Sequence, residues 1–163
     1  MNTKRLTRFG LLIALACVLS FVESAVLPPM IHPAMKVGLA NIVVIAALYE
    51  LGMKEALVLS LVRVLLVSIS FGGFGPMLYS IGGGLLSWSV MALMHRTNLF
   101  SMIGVSIADG VCHNIGQILV AMVVFDQAMM VNLPLLMICG LVTGAVIGLA
   151  GAEVTKRLHR YLK

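Results

Sequence analysis

Long apolar runs, separated by short polar, glycine-rich or proline-rich breaks, set the pattern of this chain. Six runs are predicted to be membrane helices, at about residues 9–27, 37–51, 56–70, 77–93, 100–125 and 133–154. Pro28 and Pro29 end the first run, and Gly52 separates the second from the third. The second and third runs are short, since a full crossing takes about 20 residues. The pattern predicts an all-α membrane protein with six transmembrane helices in one domain, residues 1–163.

Composition strengthens this prediction and excludes a water-soluble enzyme or a nucleic-acid-binding domain. The chain is 61% hydrophobic and only 10% charged, whereas soluble domains carry about a quarter charged residues. Six crossings would place nine of the 11 Lys and Arg residues on one side: Lys4, Arg5, Arg8, Lys54, Arg96, Lys156, Arg157, Arg160 and Lys163. Because cytoplasmic loops are enriched in Lys and Arg, we expect both termini in the cytoplasm. Five crossings would move one basic terminus to the outside.

Polar side chains inside the apolar runs are the first candidates for function. Arg63 lies near the middle of the third run, where an arginine costs about 2.5–3.5 kcal/mol and usually faces a protein interior or a water-filled cavity. In the fifth run, Asp109, His113 and Gln117 follow at i, i+4 spacing and share one helical face. We expect polar groups from four runs to converge on a cavity that opens outward. The full candidate set is Glu23, Lys36, Asn41, Arg63, Asp109, His113, Asn114 and Gln117.

Two interpretations of this set stay open. Lys36, Arg63 and a protonated His113 favour a small anionic ligand, because a guanidinium binds two oxygens of a carboxylate or phosphate at once. Alternatively, Arg63 forms an internal ion pair with Asp109 or Glu23, and the amide and imidazole groups make hydrogen bonds between helices.

Small residues recur at i, i+4 spacing in the sixth and first runs. Gly140, Gly144 and Gly148 form two overlapping GxxxG units, and Gly10 and Ala14 have the same separation. Such spacing lets two helices approach closely. It fits internal packing and contact with a partner subunit equally.

Motifs for catalysis and cofactor binding are missing from the sequence. The six acidic residues are scattered, so they form no paired acidic cluster of the kind that holds magnesium and diphosphate. The sequence has no P-loop, nucleophile elbow or HExxH, and its four His residues lack metal-ligand spacing. We therefore expect no catalytic residue, no cofactor and no metal site in this chain.

Four stretches resemble the bacterial Gx transporter family, whose members are often labelled heptaprenyl diphosphate synthase component I. They are KVGLANIVVIAALYELGMKEALVLSLVRVLL, SFGGFGPMLYSIGGGLLSWSVMALM, IADGVCHNIGQILVA and GLVTGAVIGLAG. The resemblance extends from about Leu12 to Gly151. The family is itself similar to the substrate-binding S components of energy-coupling factor (ECF) transporters.

The resemblance implies a six-helix substrate-binding subunit in the bacterial cytoplasmic membrane. Such a subunit captures a small molecule from outside and works with a transmembrane coupling subunit and ATPase subunits. Its first helix carries a coupling surface of small residues, a role that Gly10, Ala14, Ala16 and Ser20 would fill here.

The family label implies a different function. In this alternative the chain is a non-catalytic membrane subunit of heptaprenyl diphosphate synthase, which makes the menaquinone side chain. Its partner is a soluble prenyl synthase subunit, and Arg63 and Lys36 would hold a diphosphate. A structural membrane scaffold with internal ion pairs is the third hypothesis.

Overall fold

The structure, a computed structural model, describes residues 3–26, 38–124, 130–131 and 133–161 of the chain. These residues form no strand and six helices: α1, Thr3–Val26; α2, Asn41–Glu50; α3, Met53–Val67; α4, Phe74–Thr97; α5, Met102–Val124; and α6, Leu133–Tyr161. A π-helical segment, Ser68–Gly72, extends α3. The predicted all-α class is therefore confirmed for the described part of the chain.

Four of these helices, α1, α4, α5 and α6, are long and apolar enough to cross a membrane. Together with the composition, they indicate a membrane protein. The second helix is shorter than predicted. α2 has ten residues and is about 15 Å long, which is half of a hydrocarbon core of about 30 Å. Residue 37, where the second span was predicted to begin, lies outside the described residues.

Most of the other helices extend beyond the predicted spans, because an apolar pattern marks the hydrocarbon part of a helix and not its polar ends. α4 begins at Phe74 and includes Pro76 in its first turn, where the backbone N–H has no helical partner and proline is tolerated. It ends at Thr97, followed by Asn98 in the left-handed conformation (φ 52°). Three further helix ends lie outside the predicted spans: α1 begins at Thr3, α3 begins at Met53 and α6 ends at Tyr161. α5 matches its predicted range within two residues.

The turns around α3 depend on two glycines with positive φ. Gly52, between α2 and α3, has φ 117°, and Gly73, between the π-helical segment and α4, has φ 77°. Residues with a Cβ rarely adopt such a backbone. The glycines therefore allow the chain to reverse within one or two residues at each end of α3.

The short helix α2 lies in the middle of the packing. It contacts α1, α3 and α6, and seven of its ten residues are buried. A helix that is apolar on all sides buries best inside a bundle. α5 lies between α4 and α6, while α1 packs mainly against α2 and α3 and leaves large side chains such as Leu11 exposed.

Glycines of α6 allow close contact with α5. A Cβ built on Gly144 would lie 2.7 Å from the backbone oxygen of Ser106 and 2.8 Å from Ile107 Cα. Gly140 and Gly148 meet the α5 backbone in the same way. The GxxxG units of α6 thus lie in an internal interface.

The small residues of α1 have a different environment. Gly10 and Ala14 are both exposed, and nothing lies within 4 Å of a Cβ built on Gly10. Within the described chain this pair is not used for packing.

Contacts near the helix ends show that consecutive helices run in opposite directions. Arg5, near the start of α1, forms an ion pair of 2.6 Å with Glu55, near the start of α3. Trp88, in the second half of α4, donates a hydrogen bond of 2.9 Å to the Met53 backbone oxygen. These contacts place the starts of α1 and α3 and the end of α4 at one end of the bundle, which we call the Arg5 end. The start of α5 and the end of α6 lie there too, since each is antiparallel to its neighbour.

We expect Gly144→Leu to destabilise the protein by about 1–3 kcal/mol or more, because the new side chain has to push apart two backbones. The measurement is thermal unfolding of the detergent-solubilised protein, and the melting temperature should fall. Gly10→Leu is the matched control, since the same substitution there meets open space and should leave the melting temperature unchanged or slightly raised. Equal effects of the two substitutions would contradict the α5–α6 interface.

Candidate functional site

A hydrogen-bonded chain of three buried side chains joins α2, α3 and α5. Arg63 Nη1 on α3 donates to Asn41 Oδ1, the first residue of α2, at 3.1 Å. Asn41 Nδ2 in turn donates to Asp109 Oδ2 on α5, also at 3.1 Å. Arg63 is 8% exposed and Asp109 2%. We call these three residues the Arg63 cluster.

The Arg63 cluster joins opposite charges through a neutral amide. The described ion pairs are Arg5–Glu55 and Arg157–Glu153, both on the surface, so the predicted direct pair of Arg63 with Asp109 is replaced by an Asn41 bridge. The carboxylate still acts electrostatically on the guanidinium. Charges buried in apolar surroundings need such partners, because each loses its hydration.

Two serines extend this polar interior. The Ser87 hydroxyl on α4 lies near the Asp109 carboxylate and donates 3.2 Å to the Gly84 backbone oxygen. Ser60, also buried, lies one turn from Arg63 on α3. Sequence reasoning missed both, since single serines are common in apolar helices and give no distinctive signal.

Glu23 holds the chain at the entry to α2. Its two carboxylate oxygens accept hydrogen bonds from the backbone N–H groups of Gly38 (2.7 Å) and Leu39 (3.0 Å). These groups lie just ahead of the helix, where N–H groups lack helical partners and the helix dipole favours a negative charge. Glu23 is buried and acts electrostatically on Arg63. It therefore ties α1 to the start of α2, beside the Arg63 cluster.

The remaining candidates on α5 point to other neighbours. Gln117 Nε2 lies 3.2 Å from His113 Nε2, within hydrogen-bonding distance along the same helix. Asn114 Nδ2 donates a hydrogen bond of 2.6 Å to the Leu136 backbone oxygen on α6. The Gln117 Oε1 atom is buried and has no hydrogen bond among the described residues.

The predicted convergence is therefore present in part. The structure brings together Arg63, Asn41 and Asp109, with Glu23 beside them. His113 and Gln117 form a separate pair, and Asn114 belongs to the α5–α6 interface. Lys36 lies outside the described residues. Whether any of these side chains contacts a ligand stays a prediction.

The charge balance of the described residues changes the expectation about the ligand. Asp109 is joined to Arg63 through the Asn41 amide, and Glu23 lies beside the cluster, so two carboxylates already act on the positive charge of the guanidinium. The predicted preference for an anion therefore depends on Lys36 and on the protonation of His113. Among the described side chains, no three His, Cys, Asp or Glu residues are grouped closely enough to hold a metal ion.

A double-mutant cycle tests the Arg63 cluster. We expect Arg63→Met and Asp109→Leu each to destabilise the protein by about 3–5 kcal/mol, because each removes the partner of an opposite buried charge. The double variant should lose less than the sum of the two, since it removes both charges of the pair together. The free energy of unfolding, measured by titration with a denaturing detergent, gives the three values. Additive losses would show that the two charges do not interact.

Removal of the Glu23 carboxylate should free the backbone at the entry to α2. In Glu23→Ala the amides of Gly38 and Leu39 lose their acceptors, and we expect faster hydrogen–deuterium exchange there. Glu153→Ala is the control, because it removes an exposed carboxylate that pairs with Arg157 on the same helix. An unchanged exchange rate at both amides of Glu23→Ala would rule out this capping role.

Comparison with known proteins identifies the family. No curated protein and no solved structure matches the chain. The family model described as heptaprenyl diphosphate synthase component I matches residues 12–154, nearly the stretch over which the resemblance extends. Since this match covers most of the 163 residues, the chain belongs to the heptaprenyl diphosphate synthase component I family.

Proposed function

We propose that this protein is a non-catalytic membrane subunit that works with a prenyl diphosphate synthase at the cytoplasmic membrane of a bacterium. Family membership over residues 12–154 carries the proposal. The sequence adds to it, since the chain lacks a paired acidic cluster for magnesium and diphosphate. Catalysis then belongs to a soluble partner subunit.

An apolar bundle suits such a role on physical grounds. A synthase of this type lengthens a prenyl chain, and each additional CH₂ group favours transfer from water to the bilayer by about 0.8 kcal/mol. A membrane subunit that holds the synthase at the bilayer surface shortens the path of the product into lipid. The membrane subunit itself needs no catalytic group for this.

The arrangement of the helices supports six passes with both ends of the chain on the cytoplasmic side. Arg5 and Glu55 form an ion pair, so the chain has returned to its starting end when α3 begins. Since α1 leads away from the Arg5 end, this return before α3 counts as the second of the six passes. The exposed basic residues of the Arg5 end, such as Lys54 and Arg96, fit the cytoplasmic side.

In this proposal the Arg63 cluster is structural. Its hydrogen bonds connect three helices, and Glu23 binds the backbone ahead of α2. The synthase partner then contacts the surface of the bundle, and no small molecule has to enter the interior.

A second candidate is a substrate-binding subunit of a transporter. One observation favours it: α2 has only ten residues and begins at Asn41, which accepts a hydrogen bond from the buried Arg63, and transporters often bind substrates at the ends of short or discontinuous helices. Arg63, Asn41 and Asp109 would then contact the ligand, after Asn41 exchanges one of its two hydrogen bonds for a bond to that ligand.

Affinity purification from the native membrane distinguishes the two functions. We expect the tagged protein, extracted in a mild detergent, to carry a soluble prenyl synthase subunit that mass spectrometry identifies. An unrelated membrane protein with the same tag serves as the control. Recovery of a membrane coupling subunit with ATPases, and no synthase, would contradict the proposal and support the transporter candidate.

Bound small molecules provide the second readout of that experiment. In the proposed function, Arg63→Lys should purify with the same bound small molecules as the control Arg157→Lys, which changes an exposed residue. A small molecule that is present in the wild type and lost only in Arg63→Lys would assign the ligand to the Arg63 cluster.

A further inference from the structure

Exposed cations surround the Arg5 end of the bundle. Arg8 on α1, Lys54 on α3, Arg96 on α4 and Lys156 on α6 are all exposed. None of the four has an ion pair among the described residues, in contrast to Arg157, which pairs with Glu153. The contacts between helices follow the order α1, α3, α4, α5, α6, α2 and back to α1. The four cations therefore lie around the perimeter, and we call them the cation ring.

The opposite end of the bundle lacks such a ring in the part that the structure describes. The charged residue described there is Glu23, which is buried and accepts hydrogen bonds from two backbone N–H groups. The described surface at that end is formed by apolar and small residues, among them Phe74 and Val131. Among the described residues, the exposed charge is thus concentrated at the Arg5 end.

The turn between α4 and α5 adds apolar groups to the cation ring. Leu99 is 81% exposed and Phe100 49%, although both ends of the turn are fixed. Asn98 closes α4 in the left-handed conformation, and the Ser101 hydroxyl accepts a hydrogen bond of 3.2 Å from the Gly104 N–H at the start of α5. The turn therefore presents two apolar side chains beside Arg96 in a defined geometry.

The length of α4 determines the depth of this turn. Its 24 residues span about 36 Å, which exceeds a hydrocarbon core of about 30 Å. The turn then lies among the lipid head groups. There the side chains of Leu99 and Phe100 can enter the acyl boundary while the guanidinium of Arg96 stays with the phosphates.

We propose that the cation ring binds the phosphate groups of anionic phospholipids, with Leu99 and Phe100 anchoring the α4–α5 turn in the same leaflet. The perimeter distribution favours lipid over a protein partner, because a leaflet surrounds the bundle whereas a soluble protein covers one patch. Each cation near an anionic surface strengthens association by about fivefold. The inference is independent of the synthase and requires only that the chain lies in a bilayer.

The test compares three forms of the full-length protein in nanodiscs of phosphatidylcholine and of phosphatidylglycerol with identical acyl chains. The neutral variant carries R8Q, K54Q, R96Q and K156Q, and the charge-conserving control carries R8K, K54R, R96K and K156R. We expect phosphatidylglycerol to raise the melting temperature of the wild type and of the control but not of the neutral variant. About 1 M salt should abolish the rise, since it shortens the screening length to about 3 Å.

Phosphatidylglycerol titrated into phosphatidylcholine nanodiscs measures the affinity, which should fall roughly a hundredfold or more in the neutral variant. The paired variants R8Q/K54Q and R96Q/K156Q show the intermediate loss if the fourfold variant does not fold. Soluble glycerophosphate distinguishes a lipid from a free phosphate, and we expect no effect from it.

A melting temperature that is equal in both lipids, a neutral variant that still responds, or a full response to glycerophosphate would overturn the proposal. So would loss of the synthase from the neutral variant with its lipid response intact, which would assign the ring to a protein.

Discussion

The buried charge of Arg63 is the constraint that the arrangement of α2, α3 and α5 satisfies. A guanidinium away from water needs hydrogen-bond acceptors and a negative charge close by. Asn41 provides the acceptor and Asp109 the charge, and the amide of Asn41 connects the two. Because each of these residues lies on a different helix, the solvation of one cation also fixes the relative position of three helices. The start of α2 in the bundle interior follows, since Asn41 is the first residue of that helix.

Other polar groups and glycines in the bundle also serve to hold helices together. Where a helix begins inside the bundle, the backbone N–H groups at its start lack helical acceptors. Glu23 accepts hydrogen bonds from two such groups ahead of α2. Hydrophobic burial does not bring helices together within a lipid phase, so α5 depends on glycines of α6 for close packing. Polar groups that are used in this way are not free for substrate. That is the physical difference between the two candidate functions: a synthase subunit keeps these bonds, whereas a transporter subunit has to exchange one of them for its ligand.

The sequence predicted those features that depend on periodicity and on the cost of burial. Helical spacing put Asp109, His113 and Gln117 on one face of α5, where Asp109 meets Asn41 of α2 while His113 and Gln117 lie within hydrogen-bonding distance of each other. The isolated charge of Arg63 indicated an interior position, where the structure places it. Contacts across long separations were not predictable. The Glu23 carboxylate reaches N–H groups of Gly38 and Leu39, which lie 15 and 16 residues further along the chain, beyond the reach of a local capping pattern. Helix lengths were also misjudged, because apolar runs omit the polar turns at either end.

Solid-state NMR of the protein in bilayers tests the central claim directly. With ¹⁵N-labelled arginine and ¹³C-labelled asparagine, the Arg63 guanidinium should show a through-space correlation to the carboxamide carbon of Asn41, since Nη1 lies 3.1 Å from Oδ1. The signal is assigned by its loss in Asn41→Leu. Its presence would establish that an amide bridge solvates the buried cation and holds α2 within the bundle. A wild-type protein without this correlation, in which Arg63 instead contacts the Asp109 carboxylate directly, would contradict the account.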